Sequence, residues 1–304
     1  MLAKIMNKKT IIAIIAISLL VGTIALTVVV SSRTKDGIAL NQKAENIRSE
    51  FSLGKLKGDY FGVLVLGSDE GATRTNGGDH TDSMTYIAIN KKTNKALALP
   101  IYRDVLMAVS CADTAVNANQ IYRDYGSKCL ADSIEDMIDL PVDYQVYITS
   151  NGYVDILNAI GPIEVIPEAT YESKFGNDDI TYKFVEGQKQ ELTGNALLAY
   201  ARFRGATSGE SRANRHVQLL NGIFKNCTEK KAICGKKVIE LMLTKDIESS
   251  IPFEELLEMK DLATIENLGV IAGTNFEDET GWHQRMNRAD LEVKAQKIRE
   301  EIFQ

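Results

Sequence analysis

The stretch YARFRGATSGESRANRH (200–216) places Arg202, Arg204, Arg212 and Arg215 close together, with Glu210 as its one acidic residue. A guanidinium offers a planar fork of donors that matches phosphate oxygens. The whole chain is nevertheless acidic, with 41 Asp+Glu against 35 Lys+Arg and a formal charge of -6. That balance lacks the basic excess of a non-specific nucleic-acid binder, so the cluster is a local anion trap and no nucleic-acid partner is expected. Arg202 and Arg204 would share one face if the chain is extended there. Ser211 reads as the N-cap of a helix to about Asn226, which puts Arg212 and Arg215 in its first turns. The helix dipole disfavours cations at that end, unless an anion sits beside the free amides of the same turn. A compact diphosphate is the guest such a site would prefer.

Two carboxylates flank a Gly-rich loop, SDEGATRTNGGDHTD (68–82): Asp69 and Asp82. Paired carboxylates repel unless a cation lies between them. Mg²⁺ is the natural candidate, because it takes one or two carboxylates together with water and phosphate oxygens. Asp also serves as an ordinary loop and cap residue.

The elements around these residues explain how they could meet. YFGVLVLG (60–67), SMTYIAIN (83–90) and KALALPI (95–101) read as strands, with a turn at 91–94. If they pair antiparallel in order, Asp69, Asp82, Tyr102, Arg103 and Asp104 arrive at one edge of the sheet. Further on, a helix is predicted around 128–138 and a strand over 144–148. A helix over 151–160 is stopped by Gly161-Pro162, and a strand follows over 163–166. Thr193 reads as the N-cap of a short helix through Tyr200. A strand near 269–273 and a helix from about Arg288 to Phe303 complete the chain. This alternation predicts an α/β fold, a mixed central sheet covered by helices on both sides.

The chain of 304 residues, 44% apolar and 25% charged, is globular in class. Its N-terminus adds an address. The run Thr10–Val30, TIIAIIAISLLVGTIALTVVV, is uncharged, and at 1.5 Å per residue it matches a hydrocarbon core of about 30 Å. Lys4, Lys8 and Lys9 precede it, so residues 1–9 should stay cytoplasmic and the remainder should cross. A cleaved signal peptide fits less well, because three valines precede Ser31 and Ser32 where small residues are wanted. The expected organisation is a signal-anchor helix over 10–31, a stalk over 32–57 and one extracellular domain over 58–304. The four cysteines, Cys111, Cys129, Cys227 and Cys234, all follow the membrane run. An even count in an exported domain suggests disulfides. Three pairings are possible; Cys111–Cys129 and Cys227–Cys234 close the shortest loops. Unpaired buried thiols are the alternative. Metal binding by these cysteines lacks support, with no CxxC and with His80, His216 and His283 scattered.

VLVLGSD, HTDSMTYIAINKKTNKALALPIYRD, VDYQVYITSNGYVDILNAIGPIEV and LTGNALLAYARFRGATSGESRANRH, in this order and behind a membrane anchor, resemble the LytR–CpsA–Psr family of cell-wall enzymes. The resemblance runs over about residues 58–226 and weakens towards the C-terminus. It implies Mg²⁺-dependent transfer of a phosphate-linked glycopolymer (teichoic acid, capsule or another polysaccharide) from an undecaprenyl diphosphate carrier to peptidoglycan. The lipid would lie in an apolar channel beneath the sheet. Asp69 and Asp82 match the family's metal-binding aspartates. Arg103 matches the arginine of its IPRD stretch, and Arg202, Arg204, Arg212 and Arg215 match its diphosphate-binding arginines. Arg103, Asp82 and Asp104 are the catalytic candidates; Asp82 or Asp104 could take the acceptor's proton, but Asp82 is needed for the metal, and the sequence assigns no base. His80 stands where the family usually has Arg, and His216 where it usually has Gln. Both are expected at the diphosphate, His80 as a donor when protonated. The alternative reading is a non-catalytic, envelope-anchored regulator or lipid- or polymer-binding protein.

Overall fold

The computed structural model describes residues 42, 59–68, 81–175, 179–203, 209–243, 246–252 and 265–304. The predicted membrane segment lies outside them, as does the stalk apart from Gln42. Among the described residues no helix is long and apolar enough to cross a membrane.

The chain opens with strands β1 (Tyr60–Ser68), β2 (Thr81–Asn90) and β3 (Lys95–Ile101), then the short β4 (Leu106–Ala108) and β5 (Ala115–Asn117). Helix α1 (Ala118–Ile138), β6 (Tyr144–Thr149) and α2 (Ser150–Ile160) follow. Next come β7 (Ile163–Val165), β8 (Tyr171–Ser173), β9 (Tyr182–Phe184) and β10 (Gln190–Leu192). Three helices succeed them: α3 (Gly194–Arg202), α4 (Gly209–Glu229) and α5 (Lys231–Leu243). The chain ends with β11 (Ile247–Ser249), β12 (Glu266–Asn267), β13 (Gly273–Asp278), β14 (Gly281–Met286) and α6 (Arg288–Glu301).

Six strands form a mixed sheet in the order β11-β6-β1-β2-β3-β12. The β1–β2 and β2–β3 pairs are antiparallel, as expected, whereas β1 runs parallel to β6. The two-residue period of a strand divides β1 between two layers. Leu64 and Leu66 pack with Leu130 and Ile134 of α1 and with Leu291 and Ile298 of α6. Phe61 and Val63 pack on the other side with Val217 of α4. Helices therefore cover both faces, which explains why β1 reads as a continuous apolar run. Gly62 lies within it because a Cβ there would come within 2.0 Å of the Pro141 carbonyl oxygen. Its N–H donates to Asp143 Oδ2 at 2.8 Å. A third apolar cluster joins α2, α3, α4 and α5 to the small strands β7 to β10.

Several boundaries differ from expectation for local reasons. Helix α1 begins ten residues before the predicted start near 128, with a break at Gly126 (φ 84°); the pattern is helical only after that glycine. Helix α4 begins at Gly209, so Ser211 is inside it and is not its N-cap. Helix α3 continues to Arg202, so the arginine pair does not start from an extended strand. The strand expected near 269–273 starts only at Gly273, as β13: residues 269–272 are irregular, and their apolar Ile271 plugs the core at 1% exposure. Strand β13 pairs with β14 as a hairpin.

Both favoured disulfides are present. Cys111–Cys129 ties the loop between β4 and β5 to α1, and Cys227–Cys234 ties α4 to α5. Bridges over short loops stabilise chiefly by restricting the unfolded chain, by about 3 kcal/mol for a loop of 15 residues.

Candidate functional site

The carboxyl ends of β1 and β6 and the first half of α4 border a cleft of about 680 Å³, the open solvent at its mouth included. Val65, Ile148, Tyr153, Leu198 and Leu220 contribute apolar walls, and Arg202 and Arg212 contribute guanidiniums. A second, smaller cavity is lined by Tyr102 and Arg103 and shares Ser83, Thr85, Arg212 and His216 with the first. These shared residues mark where the two spaces meet. Arg212 lines both spaces, Arg202 only the larger and Arg103 only the smaller, and the larger space extends along apolar side chains.

Each arginine reaches its place by a different route. Arg103 follows β3, which the antiparallel hairpins return to this end of the sheet. Its Nε donates to Asp104 Oδ1 at 3.2 Å, so Asp104 faces its neighbour, and it lines neither cavity. Arg202 is the last residue of α3, where the helix dipole favours a cation, and its guanidinium lies 5.3 Å from the centre of the Phe175 ring. Arg212 lines both cavities from α4. Arg204 lies outside the described residues.

Arg215 departs from expectation. Its side chain is 0% exposed and lines neither cavity. It forms an ion pair with Glu168, donates from Nη2 to the Phe203 carbonyl oxygen at 2.7 Å, and lies 5.8 Å from the ring centres of Tyr171 and Tyr200. It fastens α4 to the β7–β8 connection and to the end of α3. Sequence reasoning missed this role because Glu168 is 47 residues away.

His216 also takes a role other than the one expected. Its Nδ1 lies 2.7 Å from Ser83 Oγ, and its Nε2 donates to the Ala201 carbonyl oxygen at 3.2 Å. Both ring nitrogens thus have protein partners and neither is left for a phosphate. Burial, reinforced by the nearby Arg212 and Arg215, holds the imidazole pKa down to about 3. The unfolded ring takes its proton near pH 6.5, so between about pH 6.5 and 3 the unfolded chain binds more protons. Stability is accordingly lost as pH falls through that window. In calorimetry the melting temperature of the wild type should drop more between pH 6.5 and 4 than that of His216→Gln; parallel profiles would contradict this assignment.

The backbone also bears on the aspartates. Gly67 faces Ser83 and Ser68 faces Thr81, leaving Asp82 as the extra residue of a bulge. Bulges re-aim side chains and recur beside active sites. Asp82 thus sits at the end of the β1–β2 hairpin, and Asp69 directly follows Ser68 in the sequence. Asp69 and His80 lie outside the described residues, and of Asp82 only the backbone is described. Next to Asp82, the Thr81 hydroxyl is buried and has no hydrogen-bond partner. Carboxylates and hydroxyls are hard oxygen donors, and this chemistry fits Mg²⁺. Among the described residues, no group of three or more His, Cys, Asp or Glu is placed to hold a metal. Ser83 and Thr85 are site residues that the sequence reading did not single out; the one available signal was the position of Ser83 directly after Asp82.

The chain is similar to proteins of known fold and name. It is 25% identical to polyisoprenyl-teichoic acid–peptidoglycan teichoic acid transferase TagU of Halalkalibacterium halodurans, over 82% of this chain and 83% of the relative. Bacillus subtilis TagV superposes with a TM-score of 0.68 at 22% identity, covering 82% of this chain and 99% of that structure. TagT bound to LIIa-WTA superposes at 0.65 and 19% identity, over 81% and 92% of the two chains. The LytR_cpsA_psr family model matches residues 26–300. On that match, which covers most of the sequence and the whole of the sheet and cleft, the chain belongs to the LytR_cpsA_psr family.

Proposed function

We propose that this protein transfers a phosphate-linked glycopolymer from a polyprenyl diphosphate carrier to peptidoglycan. The observation that carries the reading is the cleft itself, where Arg103, Arg202 and Arg212 border spaces that continue along apolar walls. An amphipathic donor, with a dianionic head and a hydrocarbon tail, suits that combination. The names of the relatives, polyisoprenyl-teichoic acid–peptidoglycan teichoic acid transferases, support the same reaction class. A bound LIIa-WTA in the TagT structure supports the donor class.

In this mechanism Arg202 and Arg212 grip the diphosphate and neutralise charge that develops on the leaving lipid phosphate. Arg103, and Arg204 and His80 by the resemblance, add to the same grip. A peptidoglycan hydroxyl attacks the sugar-side phosphorus. The bond from that phosphorus to the bridging oxygen breaks, and polyprenyl phosphate leaves. Asp82 is committed to the metal, so the acceptor's proton falls to Asp104, which stands beside Arg103 at this end of the sheet. Asp69 and Asp82 would hold Mg²⁺, which when bound would supply charge neutralisation for the transfer. Residues 10–31 anchor the chain in the membrane, residues 32–57 form the stalk, and the domain over 58–304 works on the outer side.

The test gives the full chain, in detergent micelles, a polyprenyl-diphosphate oligosaccharide and peptidoglycan oligomers. Mass spectrometry should detect the phosphodiester-linked product with Mg²⁺ and lose it with EDTA. Intact donor after prolonged incubation with Mg²⁺ would refute the transfer. Product that is indifferent to EDTA would refute the metal assignment alone.

A further inference from the structure

The hairpin of β13 and β14 carries the chain's single tryptophan, Trp282, at 64% exposure. An exposed ring alone is ordinary on a protein surface. This one is held in place. Asn117 Nδ2 donates to the Trp282 carbonyl oxygen at 2.9 Å, and Asn117 Oδ1 accepts from Nδ1 of the buried His283 at 2.6 Å. Two residues on, the Asn119 N–H donates to the Arg103 carbonyl oxygen at 3.0 Å, and the Gln284 N–H donates to that of Asp104 at 2.7 Å. The tryptophan is therefore tied to the same short segment as the Arg103–Asp104 pair. At about 3.4 Å per strand residue, its backbone stands about 7 Å from the bond to Asp104.

The strand register sorts the hairpin's side chains between two faces. Glu277 lies directly opposite Trp282, and Asn275 shares their face. Phe276 and His283 are paired on the other face, where the Arg285 guanidinium lies 4.9 Å from the centre of the Phe276 ring. The tryptophan face thus offers an aromatic plane, a carboxylate and an amide, all exposed, with the hairpin's arginine on the reverse. A phosphate polymer would meet repulsion from Glu277. A neutral saccharide matches: its C–H groups lie on the electron-rich face of the ring, and its hydroxyl and N-acetyl groups reach the carboxylate and the amide. The mechanism leaves such a saccharide to be placed. Diphosphate and lipid take the two cavities, and Asp104 lines neither. The hydroxyl that Asp104 deprotonates therefore arrives from outside them, beside the hairpin bonded to the Asp104 backbone. We infer that the Trp282–Glu277–Asn275 face is the binding site for the glycan strand of the acceptor and presents its hydroxyl to Asp104. The inference rests on the transfer reading above and deepens it.

Because Trp282 is the single tryptophan, the tryptophan fluorescence of the full chain in detergent reports this site alone. Glycan oligomers cut from peptidoglycan, with stem peptides removed, should move the emission to shorter wavelength as the ring leaves water. Inorganic tripolyphosphate at the same ionic strength should not. In the transfer assay, Trp282→Ala should raise the KM for these oligomers by about 10-fold or more, the scale of losing an aromatic anchor, while the KM for the lipid donor stays near wild type. Trp282→Phe keeps a ring and should recover part of the loss. Melting temperatures are recorded for both variants, and the wild-type titration needs neither. A steady emission together with a wild-type acceptor KM in Trp282→Ala overturns the site and leaves the transfer reading standing. An equal response to tripolyphosphate overturns the choice of a neutral glycan. An emission shift with glycan in a protein that transfers nothing keeps the glycan site and overturns the transfer reading.

Discussion

Arg215→Ala is expected to destabilise the fold by about 3 kcal/mol, the lower end of the range for breaking a buried ion pair. The guanidinium is fully enclosed, whereas the Glu168 side chain keeps 28% exposure, so water partly rescues the abandoned carboxylate. The remaining cost comes from the Phe203 carbonyl, which loses a 2.7 Å partner, and from the space left between Tyr171 and Tyr200. Those two rings and Phe203 belong to one packed group, with Tyr171 and Phe203 stacked at 3.8 Å between centres. The loss should therefore spread to the joint between α3, α4 and β8. Urea unfolding followed by circular dichroism measures it. An unchanged midpoint would mean that Arg215 is not the internal tie its burial indicates.

Arg212→Ala should behave in the opposite way. Arg212 borders both cavities from the same helix, one turn before His216. Removing a donor aimed at developing charge costs about 10²–10³ in turnover, so transfer should fall by that factor while the unfolding midpoint stays near wild type. Arg212→Lys keeps the charge but loses the fork, and it should recover only part of the rate. Initial rates of glycopolymer transfer, measured by mass spectrometry at saturating donor, decide the matter. Full activity in Arg212→Ala would remove the cleft from the mechanism. The contrast with Arg215 is itself informative: of two guanidiniums three residues apart, one should set the rate and the other the stability.

Much of the framework was legible in the residues. Apolar runs bounded by turns marked β1, β2 and β3, and their antiparallel order carried Arg103 to the end of the sheet where it lines a cavity with Arg212. The same local logic found Cys111–Cys129 and Cys227–Cys234, because each pair closes a short loop. The hairpin of β13 and β14 escaped, because its sequences GTNFED and GWHQRM are polar and mostly exposed, without the alternation that marks a half-buried strand. The run at 269–273 misled in the other direction, since its burial comes from one plug residue, Ile271, and not from strand pairing.

The linear chain already carries the inventory: which segments are apolar enough to pair, how many guanidiniums stand near residues 200–216, and an acidic background against which they matter. Tertiary structure alone decided how those guanidiniums divide. Helix α4 runs between the cleft and the β7–β8 connection, and residues at a spacing of three or four look alike in a linear pattern. Arg212 and His216 fall towards the cleft, while Arg215 meets Glu168 and two tyrosines on the other flank. The reason is that a charge takes its role from its partners, and those partners, Glu168 for Arg215 and Ser83 for His216, lie 47 and 133 residues away along the chain.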